Sequence, residues 1–177
     1  DPVPGSKLHH RIWVIDPAGT QWIWAKNGGG AALAGRRTMV EDEGDLFAVV
    51  HEWFEGDAAP DVKVERLRLD PGANQRDFQA VAFVWSQGED AHVILSSMNP
   101  DISHQGQYNN GQIVFQGAFG HIHLRQGKVE RMRLVGGNTL RYDAYGVQTN
   151  AALNFGVARG VNPASGILEA EFSNRLP

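Results

Sequence analysis

The stretch GHIHLRQGKVERMRLVGG, residues 120–137, gathers His121, His123, Arg125, Arg131 and Arg133 around a glycine turn. Planar guanidinium groups donate in pairs to carboxylates and sulfates. Neutral imidazole donates to hydroxyls, and it adds positive charge once protonated below about pH 6.5. An acidic sugar is therefore a chemically sensible ligand for these residues if they share a surface. An i, i+2 histidine pair on a strand points one way and could begin a metal site, but no third ligand is evident and no metal is assigned. The plainer reading of the same residues is a solvated sheet face.

Whether they share a surface depends on the turn. A two-residue loop, Gln126-Gly127, pairs Leu124 with Val129 and mixes Ile122 and Leu124 with Arg131 and Arg133. A three-residue loop, Arg125-Gln126-Gly127, pairs Leu124 with Lys128 and puts glycine where a left-handed residue is wanted. Ile122, Leu124, Met132 and Leu134 then share one face, and His121, His123, Arg131 and Arg133 share the other. A one-residue slip sends every side chain to the wrong side, so the sorted register is expected.

Aromatic rings supply the other chemistry a sugar site needs, because pyranose C–H groups stack on a ring's negative face. Trp22 and Trp24 are two apart on one strand and form a candidate platform, although Ile23 and Ala25 also make a core strand of that segment. Trp13, Trp53 and Trp85 sit in apolar strands and read as core. Tyr108 and Asn109 lie in a polar stretch, GQYNNG, and suit sugar contact, though turn chemistry alone explains the asparagines. His51-Glu52 is a nominal proton-transfer dyad at a strand end. Glu41, Asp42, Glu43 and Asp45 could hold a structural calcium, but without the EF-hand spacing. No other cofactor is indicated. No nucleophile-elbow, zincin, P-loop or dinucleotide signature occurs in a supporting context.

The elements that must position these residues read as short strands rich in Val, Ile, Phe and Trp, separated by turn signals, with 21 glycines in the chain. Strands are expected at HHRIWVID, TQWIWAK, DLFAVVHEWF, VKVERLRL, DFQAVAFVWSQ, AHVILSSM, GQIVFQG, GHIHLR, VERMRLVG, TLRYDAYG and GILEAEFS. Such spacing implies an all-β antiparallel sandwich, jelly-roll-like, in a single domain over residues 8–177, with 1–7 as a linker from a longer chain. LFAVV and AVAFVW are apolar on both faces and read as central strands. In VKVERLRL the apolar phase slips, which a β-bulge near Glu65-Arg66 would repair. NGGGAALAG (27–35) and NPDISHQGQYNNG (99–111) read as loops.

Charge is unevenly placed. Residues 41–61 carry eight acids and no Lys or Arg, whereas residues 111–141 carry five Lys/Arg and one acid, in a chain of net charge −4. That total argues against a general nucleic-acid partner. No apolar run reaches the roughly 18 residues a membrane-spanning helix needs. The chain has no cysteine, which excludes disulfides and thiolate metal sites.

The progression GDLFAVVHEWFEG, VKVERLRL, FQAVAFVW, AHVILSSM and IVFQGAFGHIHLRQGKVERMRLVGGNTL resembles the C-terminal β-sandwich region of heparinase II/III-like polysaccharide lyases. The likeness covers about residues 40–141 and rests on framework features, Phe47 to Glu52 and Gly117 to Leu140. It implies a secreted, polysaccharide-active setting and a catalytic domain elsewhere in the same chain. The catalytic Tyr and His of that family lie largely on a helical toroid and the first part of the sandwich; no toroid is visible in this sequence and those residues find no place on it, so no catalytic position is carried over. The expectation is a non-catalytic carbohydrate-binding module for an acidic polysaccharide. The alternatives are a bracing sandwich with no ligand of its own, and a lyase using His51 or His104 with a neighbouring tyrosine.

Overall fold

The computed structural model describes residues 7–15, 20–27, 30–36, 48–70, 80–162 and 167–173. Every regular element among them is a strand: β1 (Leu8–Ile15), β2 (Gln21–Asn27), β3 (Gly30–Arg36), β4 (Ala48–Glu55), β5 (Val62–Leu67), β6 (Leu69–Asp70), β7 (Ala80–Gln87), β8 (Asp90–Ser97), β9 (His104–Tyr108), β10 (Gly111–Arg125), β11 (Lys128–Tyr142), β12 (Tyr145–Asn162) and β13 (Ile167–Ser173). The described strands form a nine-stranded sheet and two ribbons, β1–β4 and β2–β3. The architecture is all-β, antiparallel and sandwich-like. Among the described residues no helix is long and apolar enough to cross a membrane.

The large sheet bends back on itself. The second half of β10 pairs with β8, and its first half pairs with β9. β8 pairs with β7, and β7 with β5. β5 runs past Arg68 into β6, which pairs with β9. The partners β10, β8, β7, β5/β6 and β9 thus close a circuit. Its interior holds Val93, Leu95, Ile113, Phe115, Ile122 and Leu124, joined by Met132, Leu134 and Leu140 of β11. Burying each such side chain contributes on the order of 1.5–3 kcal/mol. The β10–β11 register shifts between Gln116 and Gly117, where Thr139 and Gly137 are the successive partners and Asn138 is skipped. A Cβ on Gly137 would lie 2.2 Å from the Gln116 carbonyl oxygen, so only glycine lets the two backbones approach there.

A smaller core lies on the outer face of β7 and β8. Val81 and Phe83 meet Ile15, Ala48 and Val50 of the β1–β4 ribbon, with Val64 and Ile94 beside them. AVAFVW is therefore buried on both sides, as its composition predicts. LFAVV differs: Ala48 and Val50 face inward but Val49 is exposed, because the ribbon is covered on one side only. Leu46 and Phe47 lie outside the described residues.

Several loop and strand expectations change. Residues 30–35 of NGGGAALAG lie in β3, paired with β2. There Gly35 clears space for the Trp22 ring, which a Cβ would meet at 2.8 Å. The 99–111 loop contains β9, and Asn109 and Asn110, both at positive φ, turn the chain into β10. VKVERLRL has no bulge; β5 pairs with β7 in unbroken register. Its apolar phase slips because Val64 serves the outer core while Leu67 and Leu69 serve the inner one. GQIVFQG and GHIHLR are one strand, and VERMRLVG runs on into Thr139–Tyr142 of TLRYDAYG, whose Asp143 and Ala144 turn the chain into β12. The long β12 has no counterpart among the expected strands beyond its first residues. Positions 1–6 of the expected linker, and Glu41, Asp42, Glu43 and Asp45, lie outside the described residues.

Candidate functional site

The site grows from two tight turns. Gly88-Glu89 links β7 to β8, with Gly88 at φ +58, and it delivers Asp90 and His92. Gln126-Gly127 links β10 to β11, with both residues at positive φ, the geometry that matches the twist of paired strands. Arg125 pairs with Lys128 and Leu124 with Val129, so the loop has two residues, not the expected three. A bulge then follows: His123 pairs with Arg131, leaving Glu130 as the extra residue. The bulge restores the phase that the longer loop was expected to provide. Ile122, Leu124, Met132 and Leu134 are buried on one face. The other face carries Phe119, His121 and His123 on β10 opposite Val135, Arg133 and Arg131 on β11.

The partner strand β8 adds His92, which the sequence reading passes over. His92 sits directly across from His123, and the two rings stack face to face, 4.4 Å apart at 2°. Its Nδ1 lies 3.0 Å from Nε2 of His121, one position diagonal to it. Those ring centroids are 5.2 Å apart and 6° from parallel, so the two rings meet edge to edge in a hydrogen bond. Trp85 closes the far side at 5.2 Å. Nitrogens that face each other do not converge on a common centre. Among the described residues no group of three or more His, Asp or Glu side chains is arranged to hold a metal ion.

Acids occupy one end of this face. Asp90 Oδ1 accepts from His123 Nε2 at 2.8 Å and from Arg125 Nε at 3.1 Å. The bulge residue Glu130 approaches both, each at 3.6 Å. Hydrogen bonds from His123 and Arg125 hold the Asp90 carboxyl below the usual carboxylate range. Arg125 is thus already paired. Arg131 and Arg133 are exposed, and no described carboxylate pairs with them. Burial, then the neighbouring His92, Arg133, His123 and Arg131, push His121 down to about 4. Burial also lowers His92. His121 is therefore a neutral hydrogen-bonding group across the range where the sequence reading has it gaining charge.

The other candidates lie elsewhere. Tyr108 ends β9 and Asn109 begins the turn after it, roughly 30 Å along β10 from His121. Tyr108 packs against the inner core, and its carbonyl accepts from the Tyr142 hydroxyl at 2.9 Å. Trp22 is 38% exposed on the β2–β3 ribbon, and Trp24 lies on the same strand opposite Leu33. Trp53, expected in the core, is 62% exposed, while Trp13 and Trp85 are half-buried. The His51-Glu52 dyad does not form, because adjacent strand residues point to opposite faces. Glu52 accepts from Arg11 Nε at 2.6 Å and from Trp13 Nε1 at 3.2 Å, and Arg11 holds its carboxyl low. His51 points outward and bonds His10 at 2.9 Å. His104 is 1% exposed, with Nε2 3.2 Å from Ser97 Oγ, and a polymer has no access to it.

No family model, curated protein or solved structure matches the chain. The likeness to lyase sandwiches therefore rests on the residues quoted for it alone.

Proposed function

We propose that the chain is a non-catalytic carbohydrate-binding module of a secreted polysaccharide-degrading enzyme, and that its ligand is an acidic polysaccharide. The observation that carries this reading is the exposed Arg131/Arg133 pair beside neutral His121. The neighbouring acids, Asp90 and Glu130, are engaged with His123 and Arg125. The two arginines are about 7 Å apart along β11 and on one face. Each can grip a carboxylate or sulfate with two parallel N–H donors. The imidazoles supply hydroxyl contacts, and exposed Phe119 on the same face offers a ring for sugar C–H groups. Affinity of such a shallow surface falls in the micromolar to millimolar range, about 4–8 kcal/mol. Tethering to an enzyme makes that sufficient, because it raises effective concentration. Calorimetry against alginate and glycosaminoglycans tests it. Binding to the acidic polymers that disappears in Arg131→Ala/Arg133→Ala is expected. Equal binding by that variant would overturn the reading.

A second reading, a sandwich that braces a catalytic domain, draws on a different observation. Leu8, Ile12, Val49 and Trp53 are all exposed on the outer face of the β1–β4 ribbon. It predicts no heat with any glycan, together with binding of an apolar-surface dye that Trp53→Ser removes.

A further inference from the structure

The outer face of the β1–β4 ribbon repeats, in the open, the arrangement found at the histidine site. His10 lies directly across from Trp53, and the rings stack at 4.0 Å and 5°. His51, diagonal to His10, holds that imidazole edge-on through Nδ1 at 2.9 Å. Trp53 is the most exposed described aromatic residue, yet it is braced on one face by a ring that is itself braced. The inner face of the ribbon is equally fixed: Arg11 bonds Glu52 and the Pro60 carbonyl and lies over the Trp13 ring at 4.7 Å. A stiff platform loses little freedom on binding, so more of the contact energy appears as affinity.

The size and chemistry of the strip select its occupant. Along eight residues and two strands it measures roughly 26 by 10 Å, on the order of 250 Å². The strip presents eight outward side chains, whereas a stable protein interface takes roughly 20–30 residues from each partner, so by itself it is too small to seat a docked domain or a second copy. The strip alternates apolar side chains (Leu8, Ile12, Val49) with imidazoles (His10, His51) and ends in the exposed carboxylate of Glu55 opposite Leu8, while the nearby Lys7 is already paired with Asp57. A flat ring, hydrogen-bonding edges and no unpaired cation fit an uncharged pyranose.

We infer that this face is a second glycan site, distinct from the arginine face, which stacks a neutral sugar ring on Trp53 with His10 and His51 as its support. The inference rests on the reading of the chain as a carbohydrate-binding module, but on none of the residues that carry that reading.

The test titrates the full chain with cellohexaose and with an alginate hexamer by calorimetry, using wild type, Trp53→Ala, Trp53→Tyr and Arg131→Ala/Arg133→Ala. Cellohexaose binding that weakens about tenfold or more in Trp53→Ala, and is largely retained by the flat ring of Trp53→Tyr, is the expected result. Alginate binding is expected to stay within about twofold in Trp53→Ala. Absence of cellohexaose binding to wild type, or unchanged binding in Trp53→Ala, overturns the inference. Self-association of the wild type that Trp53→Ala abolishes also overturns it, by giving the strip to a second copy. Loss of cellohexaose binding in Trp53→Ala supports it whatever the arginine variant does with alginate, so the two readings fail separately.

Discussion

His92 Nδ1 and His121 Nε2 lie 3.0 Å apart, so one imidazole donates its N–H to the bare nitrogen of the other. This bond survives with both rings neutral or with one added proton, and it fails when both are charged. His121 is pushed down to about 4, first by burial and then by His92 and Arg133. Because the unfolded value is near 6.5, the unfolded chain binds more protons between those limits. Stability is thus full above about pH 6.5, falls toward pH 4, and is flat for this group below it. The loss is at most about 3 kcal/mol. His92 and His104, both lowered by burial, steepen the same slope. Urea unfolding at several pH values, repeated with His121→Gln, is expected to show a shallower decline in the variant. An identical slope would assign the sensitivity elsewhere.

Asp90 competes with any acidic ligand for Arg125 and His123. Its half-exposed network adds only modestly to stability, because solvent screens such pairs. Asp90→Asn is therefore expected to leave the unfolding midpoint nearly unchanged and to tighten alginate binding about threefold. Weaker binding by this variant would mean that Asp90 positions the cations and does not oppose the ligand.

Binding through Arg131 and Arg133 is expected to fade as the screening length shrinks from about 10 Å at 0.1 M salt to about 3 Å at 1 M. Stacking on Trp53 carries no charge, and cellohexaose affinity is expected to hold across that range. A salt-insensitive alginate affinity would count against the arginine role.

Two glycines of the hairpin separate close approach from backbone conformation. Gly137→Ala drives a methyl group into the Gln116 carbonyl and the Gly117 Cα, at 2.2 and 2.3 Å. A loss of about 3 kcal/mol or failure to fold is expected. Gly127 has φ +74 and nothing within 4 Å of an added Cβ. Gly127→Ala is expected to lose about 1 kcal/mol, the strain of a left-handed residue alone. Thermal melts of both proteins decide the ranking.

The all-β class was legible because alternation is a local property. β8 buries Ala91, Val93, Leu95 and Ser97 and sends His92, Ile94 and Ser96 the other way, as its spelling implies. The sorting of His121, His123, Arg131 and Arg133 was legible for the same reason. The mechanism was not: a short turn with a bulge and a longer turn without one place the same residues on the same face. His92 escaped notice because it is brought to His123 by the β8–β10 pairing, and no spacing within one strand encodes which strand lies beside it. Trp53 misled because composition marks a residue as apolar without saying whether its ribbon is covered on both sides. His51 and Glu52 looked like a pair in the sequence, and strand geometry parts them.

The circuit of strand partners begins at Val62 and ends at Arg125. Its members are close in the chain, so loop closure is cheap and this stretch is expected to assemble early. Its amides are expected to be the last to exchange with deuterium. The β1–β4 ribbon hangs outside this enclosure on a few side chains around Ile15. It can peel away by a local opening that leaves the barrel-like body intact, and a polysaccharide held on Trp53 would then act as a clasp, slowing exchange in one cooperative unit and leaving the other untouched.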